Sequence, residues 1–156
     1  MKKSSQSIPE NLYYEVVENN PIYYSGYQEV LLGKKTQEEI LGSSYLQSIL
    51  ISKIIRWIVQ NLDDKKYEFL TNEVGIQIST NSWRSADIAI FDKAKNIFKD
   101  KNKYIPHPPL LVIEIDTKAS IEGKNSFSDY YMKKTDDFLA FGVEKVIWIF
   151  TETKKY

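Results

Sequence analysis

The spacing of apolar residues along the chain changes repeatedly, and each change predicts an element. "YYEVVENNPIYY" sets two short β-rich runs either side of Asn19-Asn20-Pro21, the pattern of a hairpin with a tight turn. "GYQEVLLGKK" has no clear period and reads as loop. From Thr36 to Asn61 the period becomes helical, with Leu46, Ile49, Leu50, Ile54, Trp57 and Ile58 on one face. Thr36 with Glu39 forms a capping-box pattern, and Gly42-Ser43-Ser44 divides the stretch into a short turn and a longer helix. Three strands follow, at 67–79 with a bend expected at Gly75, at 83–92 and at 110–118. A helix over 126–142, closed by Gly142, leads to a last strand over 144–151. The order helix, three strands, helix, strand predicts an α+β fold with an α/β-type core: a mixed sheet flanked by helices, αβββαβ, preceded by an N-terminal β-hairpin.

Length and composition narrow this picture. A chain of 156 residues holds one domain with a substantial core, with residues 1–10 as a flexible end. The chain stops shortly after the last strand, which leaves room for a further C-terminal segment to cover it. The 21 basic and 21 acidic residues cancel, so a generally basic nucleic-acid coat is excluded but a local basic groove is not. There are no cysteines, which removes disulfides and thiolate metal sites and suits a reducing cytoplasm. "MKKSSQSIPE" has two lysines with no apolar run behind them, unlike a signal peptide, and no segment has membrane-spanning length. His107 is the single histidine, which excludes histidine triads and clusters.

Several charges do not fit their surroundings. "PPLLVIEIDTKAS" carries an apolar run into Glu114, Asp116 and Lys118. Strand alternation puts all three on one face, the two carboxylates roughly 7 Å apart. Neighbouring carboxylates repel unless a proton or cation lies between them, and Mg²⁺ is satisfied by one or two carboxylates with water and phosphate oxygen. The plain alternative is a strand that leaves the core at Glu114 with its charges in water. Asp87, inside "SADIAIF", is flanked by small residues and a large apolar one, and reads as a site residue or an ordinary strand-entry residue. On the following helix Lys134 lies about 60° from the apolar stripe's reference at Tyr131, while Lys133 points the other way and can pair with Asp137. Lys134 either snorkels past the aromatics or projects its ammonium over the sheet at Glu114. Glu73 lies in a strand, facing the site or serving the fold.

"WRSADIAIF", "PPLLVIEIDTKAS" and "KTDDFLAFGVEKVIWIF" together resemble the Uma-two-type endonucleases of the PD-(D/E)xK, restriction-endonuclease-like superfamily. "YYEVVENNPIYY" resembles that family's N-terminal hairpin, so the resemblance spans nearly the whole chain. It implies Asp87 as the first acidic residue, Glu114 as the second, and a catalytic lysine displaced to the next helix, at Lys134. Ala86 stands where the family usually has proline, and Thr117 where it tends to have serine. A rival match is the literal D-x-K of Asp116-Thr117-Lys118; Glu114 is favoured because it directly follows the buried run.

The resemblance implies a metal-dependent nuclease acting on DNA, duplex by expectation, as a homodimer. Asp87 and Glu114, with the Ile115 carbonyl, would hold Mg²⁺ or Mn²⁺, and Lys134 would orient a water and stabilise the transition state. Asp116 would assist as an outer ligand, with Glu73 and Lys118 as further auxiliary residues. Lysines of the 93–103 loop, Lys118 and Lys124 would contact phosphates. The alternative is a nuclease-like fold used for DNA binding or assembly without turnover; RNA or another phosphodiester would use the same residues.

Overall fold

The protein is described by a computed structural model covering residues 7–95, 104–116, 119–120 and 127–151. Its hairpin is β1 (Tyr13–Val17) and β2 (Asn20–Tyr23). Two single-turn helices follow, α1 (Tyr27–Leu31) and α2 (Gln37–Leu41), then the long α3 (Tyr45–Asn61). Strands β3 (Tyr67–Ser79), β4 (Ser82–Asp92) and β5 (Leu111–Ile115), helix α4 (Phe127–Phe141) and strand β6 (Lys145–Ile149) complete the described chain. This is the expected αβββαβ order behind a hairpin, in an α+β fold with one six-stranded mixed sheet.

Period-two alternation builds the layers. On β4, Ile88 and Ile90 pack with Ile113 and Ile115 of β5 against Ile58, Ile54 and Ile51 of α3. Ala89 and Phe91 point the other way and pack with Val112 of β5 against Phe138 and Val143, at and beyond the end of α4. The sheet is therefore a central layer, buried on both faces. Each fully buried isoleucine or phenylalanine here contributes about 1.5–3 kcal/mol relative to exposure. Glu114 shares the Val112 face of β5, so alternation alone aims it at α4.

β4 is the hub of the sheet. One edge pairs along its length with β3. The other edge is divided: Val16 of β1 pairs with Trp83, and Leu111–Ile113 of β5 pair with Ile90–Ile88. β1 and β5 thus leave the same edge at different heights and form a fork. Above it the chain returns to the hairpin, where Ala119 bridges Tyr24 and the Ser120 N–H donates to the Tyr23 carbonyl at 2.8 Å. Beyond β5, α4 provides the crossover to β6, which pairs parallel with β5.

Local chemistry explains most boundaries and several departures from expectation. The hairpin turns at Glu18-Asn19, both with positive φ (50° and 65°), one residue earlier than expected. Val17 then pairs with Asn20, and Pro21 falls inside the edge strand β2. "YQEVL" forms a helical turn rather than loop. The capping box is present: Thr36 Oγ accepts from the Glu39 N–H, and Glu39 accepts from the Thr36 N–H. Ser44 caps α3 by accepting from the Gln47 N–H. Gly75 does not bend β3. The irregularity lies at Asn72-Glu73, a bulge with φ of 73° and 57°, and Gly75 is needed because a Cβ there would collide with the Tyr104 ring. Gly142, at φ 109°, ends α4 as expected, its N–H donating to the Leu139 carbonyl.

The expected strand 110–118 is shorter, ending at Ile115 because Asp116 adopts φ 57°. Within the expected flexible end, residues 1–6 lie outside the described residues. Ile8 and Pro9 do bond to the fold, their carbonyls accepting from the Tyr13 hydroxyl and the Leu12 N–H. No described helix is long and apolar enough to cross a membrane.

Candidate active site

Among the described residues the fork leaves the β4 edge between Trp83 and Ile88 without a paired strand, and side chains take the strand's place. Glu15 Oε1 accepts from the Ser85 N–H at 3.1 Å. Asp87 Oδ2 accepts from the Ile115 N–H at 2.7 Å. A carboxylate of β1 bonded to β4 and a carboxylate of β4 bonded to β5 thus bridge the gap on its two sides. Continuing the β4–β5 register by one residue sets Asp87 opposite Glu114.

Glu15 was not singled out in the sequence, yet it organises the site. It is fully buried. Its Oε2 accepts from Arg84 Nη1 at 2.7 Å and from the Tyr130 hydroxyl at 2.9 Å, and Lys134 Nζ lies 2.8 Å from its Oε1. Arg84, also buried, extends its other nitrogens to Asp137 Oδ2 of α4, at 3.0 and 2.5 Å. Burial opposes ionisation of Glu15, but Lys134 and Arg84 outweigh it and hold the carboxyl below the usual range. The bulge where β1 shifts register, between Tyr13 and Glu15, accompanies the inward placement of this acid.

Lys134 is fully buried, whereas Lys133 is 57% exposed and pairs with Asp137 at 2.6 Å, as helix phase predicts. The Lys134 ammonium sits between Glu15 and Glu114 Oε1, the latter at 3.1 Å. The rings of Tyr14, Trp148, Tyr130 and Phe138 surround it, with centroids 5.4–5.9 Å away. Burial acts against its charge, but Glu114 and Glu15 prevail and push its pKa well above the ordinary lysine value.

Glu114 behaves oppositely. Burial drives its carboxyl up to about 8; Lys134 pulls it down, while Asp87 and Glu15 push it further up. Its contact with Lys134 has the distance of an ion pair without the angles of a hydrogen bond. Among the described residues, both Glu114 oxygens and the Lys134 nitrogen are buried without an aligned hydrogen-bond partner. Partners explain the contrast. Glu15 has Arg84 as well as Lys134 against it, whereas Glu114 has Lys134 and faces the negative charges of Asp87 and Glu15.

Three of the expected residues have partners within the fold. Asp116 ties β5 to the chain beyond β6, accepting from the Thr151 N–H at 2.9 Å and from the Thr151 hydroxyl. The Ile115 carbonyl, expected as a backbone ligand, accepts from the buried Gln47 Nε2 of α3 at 2.8 Å. Lys93, from the loop expected to touch phosphates, pairs with Glu68 at 3.4 Å. Lys118 and Lys124 lie outside the described residues. Glu73 does approach the site: with Asn72 and Asp87 it lines a cavity of about 210 Å³, and it accepts from the Tyr24 hydroxyl at 2.6 Å. The Asn72-Glu73 bulge stands across β4 from Asp87, which turns Glu73 toward that cavity.

Arg84, Glu15 and Gln47 escaped sequence reasoning. A charge inside "YYEVV" and another inside "WRSADIAIF" were the available signals, since each interrupts a β-rich run.

Asp87 and Glu114 are the residues that could hold a hard divalent ion: they stand opposite each other in the β4–β5 register, and Glu114 has both oxygens buried without aligned donors among the described residues. Among the described residues no group of three or more His, Cys, Asp or Glu side chains is placed to hold a metal ion. No protein-family model matches the chain, and no curated protein matches it.

Proposed function

We propose that the protein is a metal-dependent endonuclease that hydrolyses DNA phosphodiester bonds at the fork of its sheet, with a homodimer as the expected active form. The observation that supports this most is the buried Glu114 carboxylate, 3.1 Å from the Lys134 ammonium and opposite Asp87 in the β4–β5 register, with both its oxygens lacking an aligned hydrogen bond among the described residues. Asp87 and Glu114 would hold Mg²⁺ or Mn²⁺, with Glu73 as an auxiliary carboxylate on the Asp87 side. When bound, such an ion would supply Lewis-acid polarisation of the phosphate and ease deprotonation of the attacking water. Lys134 orients the attacking water and stabilises the charge that builds on the phosphoryl oxygens. The attacking water gives a proton to solvent as its oxygen bonds to phosphorus, the bond to the leaving oxygen breaks, and that oxygen takes up a proton from solvent. The aromatic cradle keeps bulk water from the ammonium and strengthens its field at the phosphate.

Supercoiled plasmid incubated with Mg²⁺ or Mn²⁺ tests this. Wild type nicks it, Asp87→Ala and Glu114→Ala lose at least about 100-fold in rate, as for loss of a transition-state-stabilising group, and EDTA abolishes cleavage. Equal rates in all three chains would reject the site, and cleavage in EDTA would reject the metal. Single-stranded RNA in parallel separates the two nucleic acids as substrates.

The complete burial of Glu114 and Lys134 favours a second reading, a DNA-binding or assembly module on the same fold without turnover. Calorimetry with Mg²⁺ and Mn²⁺ separates the two: no affinity at millimolar concentration, alongside DNA binding or dimerisation, selects the module.

A further inference from the structure

Lys134 reaches the sheet from a helix on a flexible four-carbon stem, and a side chain of that kind loses its aim unless something fixes it. Of the two carboxylates that touch it, only Glu15 has its other contacts wholly within the protein: Arg84, Tyr130 and the Ser85 N–H. Glu114 has none aligned. Glu15 stands on β1, Arg84 on β4, and Asp137 lies three residues beyond Lys134 on α4, so the Glu15–Arg84–Asp137 chain ties the helix to β1 and β4 beside the lysine.

We propose that Glu15 is a positioning residue: the permanent counter-ion that aims the Lys134 ammonium, leaving Glu114 exchangeable between the lysine and a bound cation. This rests on the nuclease reading above. Glu15 has no exposed surface and acts only through Lys134 and Arg84. When Glu114 turns to a cation, Lys134 keeps a partner and its place, so the ammonium meets the phosphate pre-aimed. Small errors of placement in such a site cost on the order of 100-fold in rate.

Steady-state cleavage of a duplex DNA substrate in Mg²⁺ by the full chain tests this, with Glu15→Gln, Glu15→Asp, Lys134→Met and the Glu15→Gln/Lys134→Met double variant. Glu15→Gln keeps the side chain's shape and removes its charge. Its kcat is expected to fall about 100-fold, with KM changed less than about threefold because no DNA contact is lost. Glu15→Asp, which keeps the charge, recovers part of the loss. On the Lys134→Met background, Glu15→Gln has less than about a threefold further effect, since the group it aims is gone. Circular dichroism establishes that each variant is folded. If Glu15→Gln does not fold, Glu15→Asp carries the test, with an intermediate kcat loss at unchanged KM. Wild-type kcat in a folded Glu15 variant overturns the proposal, as do losses that multiply on the Lys134→Met background or appear in KM alone. A wild-type chain with no metal-dependent cleavage overturns the nuclease reading and this inference together. Cleavage by wild type with Glu15 variants unaffected overturns this inference alone.

Discussion

Glu15 and Glu114 sit on the two prongs of the fork, both fully buried, both touching Lys134, yet their carboxyls are driven in opposite directions. Glu15 is held below the ordinary range and Glu114 is raised to about 8. Burial is the first influence on each and has the same sign. Partners decide the outcome. Glu15 collects an arginine, a lysine, a tyrosine hydroxyl and a backbone N–H, whereas Glu114 shares a lysine already engaged and faces two further acids. A buried acid with all its lone pairs satisfied holds the structure together; one left incomplete is available for chemistry.

The largest expected effect tests the satisfied side. Arg84→Ala strips Glu15 and Asp137 of their shared guanidinium and should lower stability by about 3–5 kcal/mol, the range for breaking a buried ion pair. Urea unfolding measures it, and a loss under 1 kcal/mol would show that the Glu15 prong does not depend on its partners.

Next in size is a pH effect on the unsatisfied side. Glu114 has a folded pKa above its ordinary value of 4.5, so its contribution is fully present below that value and is lost as pH rises toward about 8. Without divalent ions, wild-type stability should decline across this window by up to about 1.4 kcal/mol per pH unit from this group. Glu114→Gln should remove that part of the slope. Glu15 has the opposite sign, its stabilisation being lost as pH falls through its depressed value. Parallel unfolding curves for wild type and Glu114→Gln between pH 5 and 8 would erase the contrast between the two glutamates.

Asp116 supplies a smaller test on the same strand. Asp116→Ala should lower stability by about 1 kcal/mol through the lost Thr151 contacts, while leaving plasmid cleavage at the wild-type rate. A cleavage defect matching that of Glu114→Ala would make Asp116 part of the metal site. Smallest is Lys133→Ala, which removes an exposed i,i+4 pair worth about 0.3–0.5 kcal/mol and should not alter cleavage. Comparable damage from Lys133→Ala and Lys134→Met would contradict the division between these neighbouring lysines.

Much of the fold was legible because periodicity is a local property. Ile88, Ile90, Ile113 and Ile115 declare a strand face by alternation, and Leu50, Ile54 and Ile58 a helix face by spacing. Helix phase separated Lys134 from Lys133, and alternation aimed Glu114 at α4. Asp116 defeated alternation because its positive φ ends the strand one residue after Ile115. Gly75 misled for a related reason: glycine there accommodates the Tyr104 ring, while the bulge is formed by Asn72 and Glu73.

The sequence by itself determined most of the elements and their inward faces, and marked as out of place three of the charged positions that converge: Asp87, Glu114 and Lys134. Each is set by neighbours within a few residues along the chain. Only the tertiary structure decided that β1 and β5 share one edge of β4, and from that follow the gap at Ser85 and the pairing of Glu15 with Arg84, 69 residues apart. A charge in a short β-rich run carries no mark of its partner, because the partner is chosen by sheet pairing and helix docking. Burial then makes that choice binding, since a charge removed from water must find its counter-charge within the fold.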